Sequence, residues 1–154
     1  MPVVVTGATG QLGRLVVEHL LTRGVPAGEV VATGRRTEAL DDLAARGVVV
    51  RRADYDDPAS LREAFAGADK VLLVSGSEVG RRVPQHTAAV EAAAAAGVGL
   101  LAYTSIARAS TSTLALAQEH RATEAVIAAS GVPSVLLRND WYLELYTDQL
   151  PLYL

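Results

Sequence analysis

Cysteine is absent from the 154-residue chain, which excludes disulfides, thiolate nucleophiles and cysteine metal sites. Lysine is nearly absent: only Lys70 is present among 14 basic residues, so a mechanism that needs a catalytic lysine has one candidate. The three histidines, His19, His86 and His120, are too widely spaced for a zinc pattern. A basic excess is also missing. The net charge is −3 with acids and bases interspersed, unlike the basic patches of nucleic-acid binders. No apolar run approaches the ~18 residues of a transmembrane helix, and no charged segment leads into a long apolar one. These absences together lead to the expectation of a soluble, cytoplasmic protein without membrane or nucleic-acid partners. What is present is half hydrophobic and one fifth charged. That suffices for a sizeable core, and one domain over residues 1–154 is expected.

Short β-branched runs at residues 3–6, 30–33, 48–52, 71–74, 100–104 and 134–137 predict six strands. Helix-period segments lie between them. Leu12, Leu15, Val16, His19 and Leu20 form one helical face that stops at Gly24. Leu40, Leu43 and Ala44 mark a second helix ending before Gly47. Asp57-Pro58 is an N-cap followed by proline at the first helical position, and that helix reaches residue 66. Residues 84–96 and 116–129 give a fourth and a fifth, stopped by Gly97 and Gly131. Strict alternation with continuously apolar strands predicts an α/β fold, a Rossmann-like doubly wound parallel sheet in three layers with both faces covered. The alanine run 92–96 reads as a helix packed closely on the sheet, with a subunit interface as the alternative.

Gly7-Ala8-Thr9-Gly10-Gln11-Leu12-Gly13 follows the first strand and opens the first helix. A first glycine permits the tight turn, a second lets a pyrophosphate approach backbone N–H groups, and a third lets helix and strand pack closely. The helix N-terminus adds open donors and partial positive charge. A dinucleotide is therefore the expected ligand. An NAD site has Asp or Glu after the second strand to hold the ribose hydroxyls; here the chain reads Thr33-Gly34-Arg35-Arg36. An arginine fork suits a 2′-phosphate, so NADP(H) is expected over NAD(H). The alternative is two solvated surface arginines.

Beyond the glycine loop, the blocks RRADYDDPASL from Arg51, SGSEVGRRVPQH from Ser75, AYTS from Ala102, EHRATE from Glu119 and RNDWYLELYT from Arg138 occur in register. Together they resemble the NmrA-like atypical short-chain dehydrogenases, and within them the NAD(P)H:quinone oxidoreductase type 2 branch. The resemblance covers essentially the whole chain. It implies that residues 7–12 wrap the pyrophosphate, that Arg35 holds the 2′-phosphate, and that Asp54 and Tyr55 lie by the adenine. Ser75, Gly76 and Ser77 would line the cofactor's path, and Tyr103 and Thr104 would end the fifth strand near the nicotinamide. Asn139, Asp140, Trp141, Tyr142, Leu143 and Glu144 would line the nicotinamide and quinone pocket, with Trp141 and Tyr142 as flat walls or else as buried core aromatics. His86 reads as a packing residue and His120 as a structural hydrogen-bonder. Family members usually have glycine where this chain has Asp140, and they continue into a C-terminal substrate lobe, so that lobe is expected to be mostly absent and the apolar tail at 150–154 to resemble an interrupted element.

The Tyr-x-x-x-Lys pair of ordinary short-chain dehydrogenases is missing: four residues beyond Tyr55, Tyr103 and Tyr142 stand Ala59, Ala107 and Tyr146. No catalytic residue is assigned on this basis. Quinone reduction asks less, because hydride passes to an electrophilic ring held face to face and positioning carries the rate. The expected function is NADPH-dependent quinone reduction without metal or flavin, with a small-molecule quinone as partner; a homo-oligomer is left open. The alternatives are a non-catalytic NADP(H) sensor and an inactive cofactor-binding fragment.

Overall fold

The computed structural model describes residues 1–147 and 149–152; Asp148 and, from the apolar tail, Tyr153 and Leu154 lie outside the described residues. Six strands form one sheet: β1 (Val3–Val5), β2 (Val30–Gly34), β3 (Val49–Arg52), β4 (Lys70–Leu73), β5 (Leu100–Ile106) and β6 (Ser134–Asn139). Every pairing is parallel and the order is β3-β2-β1-β4-β5-β6. The order reverses direction between β1 and β4. A crevice opens there beyond the carboxyl ends of the strands, where doubly wound sheets bind ligands. The connecting helices are α1 (Gln11–Thr22), α2 (Asp41–Ala44), α3 (Pro58–Phe65), α4 (Arg82–Ala95) and α5 (Ala115–Ala129), followed by a short α6 (Glu144–Thr147).

Two apolar clusters cover the two faces of the sheet. One joins Val17 of α1 to Val5, Val30, Ala32, Leu40 and Leu43. The other joins Leu61 and Phe65 of α3 and Ala89, Val90 and Ala93 of α4 to Val4, Val71, Leu101 and Tyr103. The alanines of α4 are the small residues that let this helix lie close to the sheet. The Asp57 carboxylate accepts from the N–H groups of Ala59 (3.1 Å) and Ser60 (3.2 Å), with Pro58 at the first helical position. This is the cap expected from the sequence.

Two expectations change. The second helix is a 3-10 turn (Thr37–Leu40) running into the single α-turn of α2, although Leu40 and Leu43 still bury completely. The apolar strand β6 is not covered on both faces: Val135, Leu136 and Leu137 are 45%, 36% and 39% exposed. Its apolar run resembles those of the central strands, but among the described residues it stands last in the sheet order and pairs with β5 alone.

The glycine loop is locked by backbone contacts. Gly7 has φ 60°, its carbonyl accepts from Gly10 N–H at 2.9 Å, and Ala8 N–H donates to the Thr33 carbonyl at 2.8 Å. A β-carbon at Gly13 would overlap the Gly7 carbonyl and come within 2.9 Å of Ala8 Cα, backbone that cannot step aside; at Gly10 the nearest atom would be 3.3 Å away. Gly13→Ala is therefore expected to cost about 1–3 kcal/mol in urea unfolding, and Gly10→Ala distinctly less. Equal losses would show that the loop yields freely.

Candidate functional site

The first cavity, about 320 Å³, lies over the β1–α1 turn. Gly7, Thr9, Gly10, Gln11, Leu12 and Gly13 form its floor, Gly34 and Arg35 one end, Asp54 and Tyr55 a side wall, and Ser75, Gly76 and Ser77 the far wall. The first turn of α1 has neither a side-chain cap nor an acidic residue, so its N–H donors and positive end face the cavity. That is the environment an anionic ligand needs. Gly34 completes the cradle, since a β-carbon there would come within 2.6 Å of Thr9 Cγ2. Arg35 is two-thirds exposed and makes one long contact, 3.6 Å, to Glu78. Arg36 is exposed and is not among the residues lining the cavity.

A closed ring of hydrogen bonds fixes the crevice at the β1/β4 reversal. Val74 N–H donates to Thr6 Oγ1 (2.8 Å), the Thr6 hydroxyl donates to Tyr55 Oη (2.6 Å), and the Tyr55 hydroxyl donates to the Val74 carbonyl (2.7 Å). Burial raises the Tyr55 pKa, against the Thr6 hydrogen bond, so its ring lines the cavity as a neutral phenol. The adjoining wall is held as firmly. Ser75 N–H donates to Thr104 Oγ1 (2.8 Å), Gly76 N–H to His86 Nε2 (3.0 Å), and Arg82 Nε to the Gly76 carbonyl (2.9 Å).

The second cavity, about 670 Å³, shares Ser75, Gly76 and Ser77 with the first. Its other walls include Arg82, Ser105, Ile106, His120, Asn139, Asp140, Trp141, Tyr142 and Leu145. Asn139 Nδ2 donates to Tyr142 Oη at 3.2 Å, and Asp140 Oδ1 caps Trp141 N–H at 3.0 Å. Trp141 and Tyr142 are 58% and 41% exposed, so they form a wall and are not core aromatics. Below the shared wall run four rings, Tyr55, His86, Tyr103 and His120, each 5.4–5.9 Å from the next. His86 is fully buried, with Nε2 accepting from Gly76 and Nδ1 facing Thr123 Oγ1 at 3.1 Å. Burial, helped by the Arg82 charge, holds its pKa down at about 3. It is the packing residue expected, with both nitrogens engaged.

Of the residues expected at the site, Gly7, Thr9, Gly10, Gln11, Leu12, Arg35, Asp54 and Tyr55 line the first cavity. Asn139, Asp140, Trp141 and Tyr142 line the second, and Ser75, Gly76 and Ser77 line both. Ala8 is buried beneath the loop. The structure does not bring the others to the walls. The Tyr103 side chain points down between α4 and α5, fully buried, with its hydroxyl 2.6 Å from His120 Nδ1. Thr104 is buried and acts only through Ser75. Leu143 and Glu144 are turned outward at the start of α6, which presents Leu145 to the cavity instead. Lys70 stands at the amino end of β4, away from both cavities.

Sequence reasoning missed Arg82 and Glu119. Arg82 is 4% exposed and pairs with the Glu119 carboxylate, which also accepts from Gly80 N–H at 2.6 Å. The signal was available: Arg82, Gln85 and His86 put a polar stripe on the buried face of an otherwise alanine-rich helix. Glu124 was missed too. It accepts from Ser105 Oγ (2.6 Å) and from Arg138, and the Arg138 guanidinium lowers its pKa. Among the described residues there is no group of three metal-ligating side chains, and no helix is long and apolar enough to cross a membrane.

A family model described as NAD(P)H-binding matches residues 7–149. The chain belongs to this NAD(P)H-binding family. As a member it is 50% identical over 149 residues to quinone oxidoreductase 2 of Escherichia coli, covering 97% of this chain and 52% of that protein. Among solved structures it is similar to an NADPH-dependent quinone oxidoreductase from Escherichia coli complexed with NADPH, at 49% identity and TM-score 0.91, covering 97% of this chain and 53% of that one. It is also similar to the Citrobacter triphenylmethane reductase complexed with NADP(H), at 42% identity and TM-score 0.94, covering 99% and 54%. The resemblance to the quinone oxidoreductase type 2 branch holds. This NAD(P)H-binding chain spans about half the length of the relatives it matches.

Proposed function

We propose that the chain binds NADPH in the first cavity and reduces a quinone in the second. The observation that carries this reading is the common wall: Ser75, Gly76 and Ser77 face both cavities at the reversal point of the sheet. A dinucleotide laid along the first cavity ends where a flat acceptor in the second begins. NADPH, when bound, supplies the hydride. Residues 7–12 and the α1 N-terminus hold the pyrophosphate, Arg35 the 2′-phosphate, and Asp54 and Tyr55 flank the adenine. Asn139 and Asp140 border the nicotinamide end, and Trp141 and Tyr142 orient the acceptor ring. The relatives' names, a quinone oxidoreductase and NADP(H)-bound reductases, support this assignment.

The test is NADPH oxidation followed at 340 nm with benzoquinone, with NADH in parallel. Quinone-dependent turnover favouring NADPH is expected. If neither cofactor is oxidised, the reductase reading falls; quenching of the single Trp141 by NADPH then supports a cofactor sensor. Arg35→Ala is expected to lower the preference for NADPH over NADH about tenfold, the low end for a charge-assisted contact because Arg35 is well solvated. An unchanged ratio of kcat/KM values would move the 2′-phosphate away from Arg35.

A further inference from the structure

Of the two buried histidines, His86 spends both nitrogens on protein partners and His120 only one. His120, on α5, is 4% exposed and forms part of the second cavity's wall. Its Nδ1 lies 2.6 Å from the hydroxyl of Tyr103, which is itself fully buried and must place its proton on an acceptor. Among the described residues the Tyr103 hydroxyl has no other hydrogen-bond partner, and the neighbouring Thr123 hydroxyl faces His86 Nδ1 and spends its proton on the Glu119 carbonyl at 3.1 Å. Tyr103 O–H therefore donates to His120 Nδ1, and the imidazole proton sits on Nε2. No protein hydrogen bond to Nε2 occurs among the described residues, yet none of their fully buried side-chain nitrogens or oxygens lacks a partner. Nε2 thus opens on the cavity.

We propose that His120, through Nε2–H, hydrogen-bonds the acceptor oxygen that gains negative charge during reduction, and that Tyr103 is the positioning residue holding this tautomer. The proposal rests on the reading of the second cavity as the acceptor site. Burial and the Arg82 charge keep the His120 pKa low, at about 4, so at neutral pH the ring is an uncharged donor. Such a donor stabilises developing charge without being a strong acid. No proton need leave the imidazole: the reduced acceptor, a phenolate, takes its proton from water. Two other polar side chains of this cavity are engaged elsewhere: Arg82 on α4 is paired to Glu119, and Ser105 on β5 donates to Glu124. Of the α5 residues that line the cavity, Leu116 and His120, only His120 can donate a hydrogen bond to a ligand.

The test uses the whole chain and two kinds of readout. In ¹⁵N-detected imidazole NMR without cofactor, His120 should be the Nε2–H tautomer, and added hydroquinone should shift the Nε2 signal. Tyr103→Phe should let the tautomers mix. With NADPH and benzoquinone, His120→Phe should lower kcat about 100-fold and Tyr103→Phe about tenfold, with NADPH affinity, read by Trp141 fluorescence, unchanged within twofold. A native Nδ1–H tautomer overturns the proposal. So does hydroquinone that fails to bind or binds without moving Nε2, and so does His120→Phe with undiminished kcat. A native chain whose His120 answers hydroquinone but which does not oxidise NADPH defeats the reductase reading and leaves the assignment of Nε2–H standing. The NMR arm needs no variant, so misfolding of a mutant does not affect it.

Discussion

Arg82→Met is expected to destabilise the chain by about 3 kcal/mol, because it strands a partly buried carboxylate and frees a carbonyl in one step. Arg82 is 4% exposed and its guanidinium serves Glu119 and the Gly76 carbonyl together. Without it, Glu119 keeps only the Gly80 N–H donor, and Gly76 loses one of its two anchors. The loss should appear as a lower urea midpoint with an unchanged slope. Glu119→Gln added to Arg82→Met should restore part of the stability, since a neutral amide is cheaper to leave unpaired than a charge. If the double variant is no more stable than the single, the penalty comes from lost packing. If NADPH lies along the first cavity as proposed, the same substitution should weaken its binding, because the Gly76 wall would no longer be held from α4.

Acidification from pH 7.5 to pH 5 is expected to remove about 3 kcal/mol of stability, before the carboxylates titrate. His86 and His120 are held neutral, with pKa values of about 3 and about 4. In the unfolded chain both protonate near the ordinary value of about 6.5. Between those limits the unfolded state binds more protons, so stability falls as pH falls. At pH 5 the linkage comes to about 2 kcal/mol for the fully buried His86 and about 1 for His120, whose edge meets cavity water. Protonated His86 could no longer accept from Gly76 N–H, so the wall shared by the cavities loosens with the fold. Urea midpoints measured across this range should drop steadily below pH 6.5. A flat profile would mean that both imidazoles protonate in the native state as readily as in the unfolded chain. Below about pH 4.5 Glu124 and Asp57, with pKa values lowered by Arg138 and Arg52, add further losses of the same sign.

Much of this architecture was legible because its signals are local. The βα alternation, the N-cap at Asp57 and the glycine after each of the first five helices depend on a few consecutive residues, and those expectations agree with the structure. The first cavity was legible for the same reason: a glycine loop and the residues ending adjacent strands lie together in any doubly wound sheet. Failures came where the answer depends on which face or which neighbour. Tyr103 was placed toward the ligand because the family resemblance puts it at the carboxyl end of the fifth strand, but its side chain is on the face that packs against α4 and α5. The apolar composition of β6 does not reveal that it stands last in the sheet among the described residues. Arg82 and Glu119 are 37 residues apart in sequence, and only the packing of α4 on α5 makes them a pair.

The shared wall limits what mutagenesis can separate. Ser75, Gly76 and Ser77 touch both cavities, so under the proposed reading a change at any of them would act on two ligands at once and would not sort into a cofactor defect or an acceptor defect. Michaelis constants for both should move together in such variants. Clean genetic separation needs residues that border one cavity only, Arg35 on one side and Leu145 on the other. Combining those two substitutions should give independent, multiplicative effects, whereas pairing either with a change at Ser77 should not.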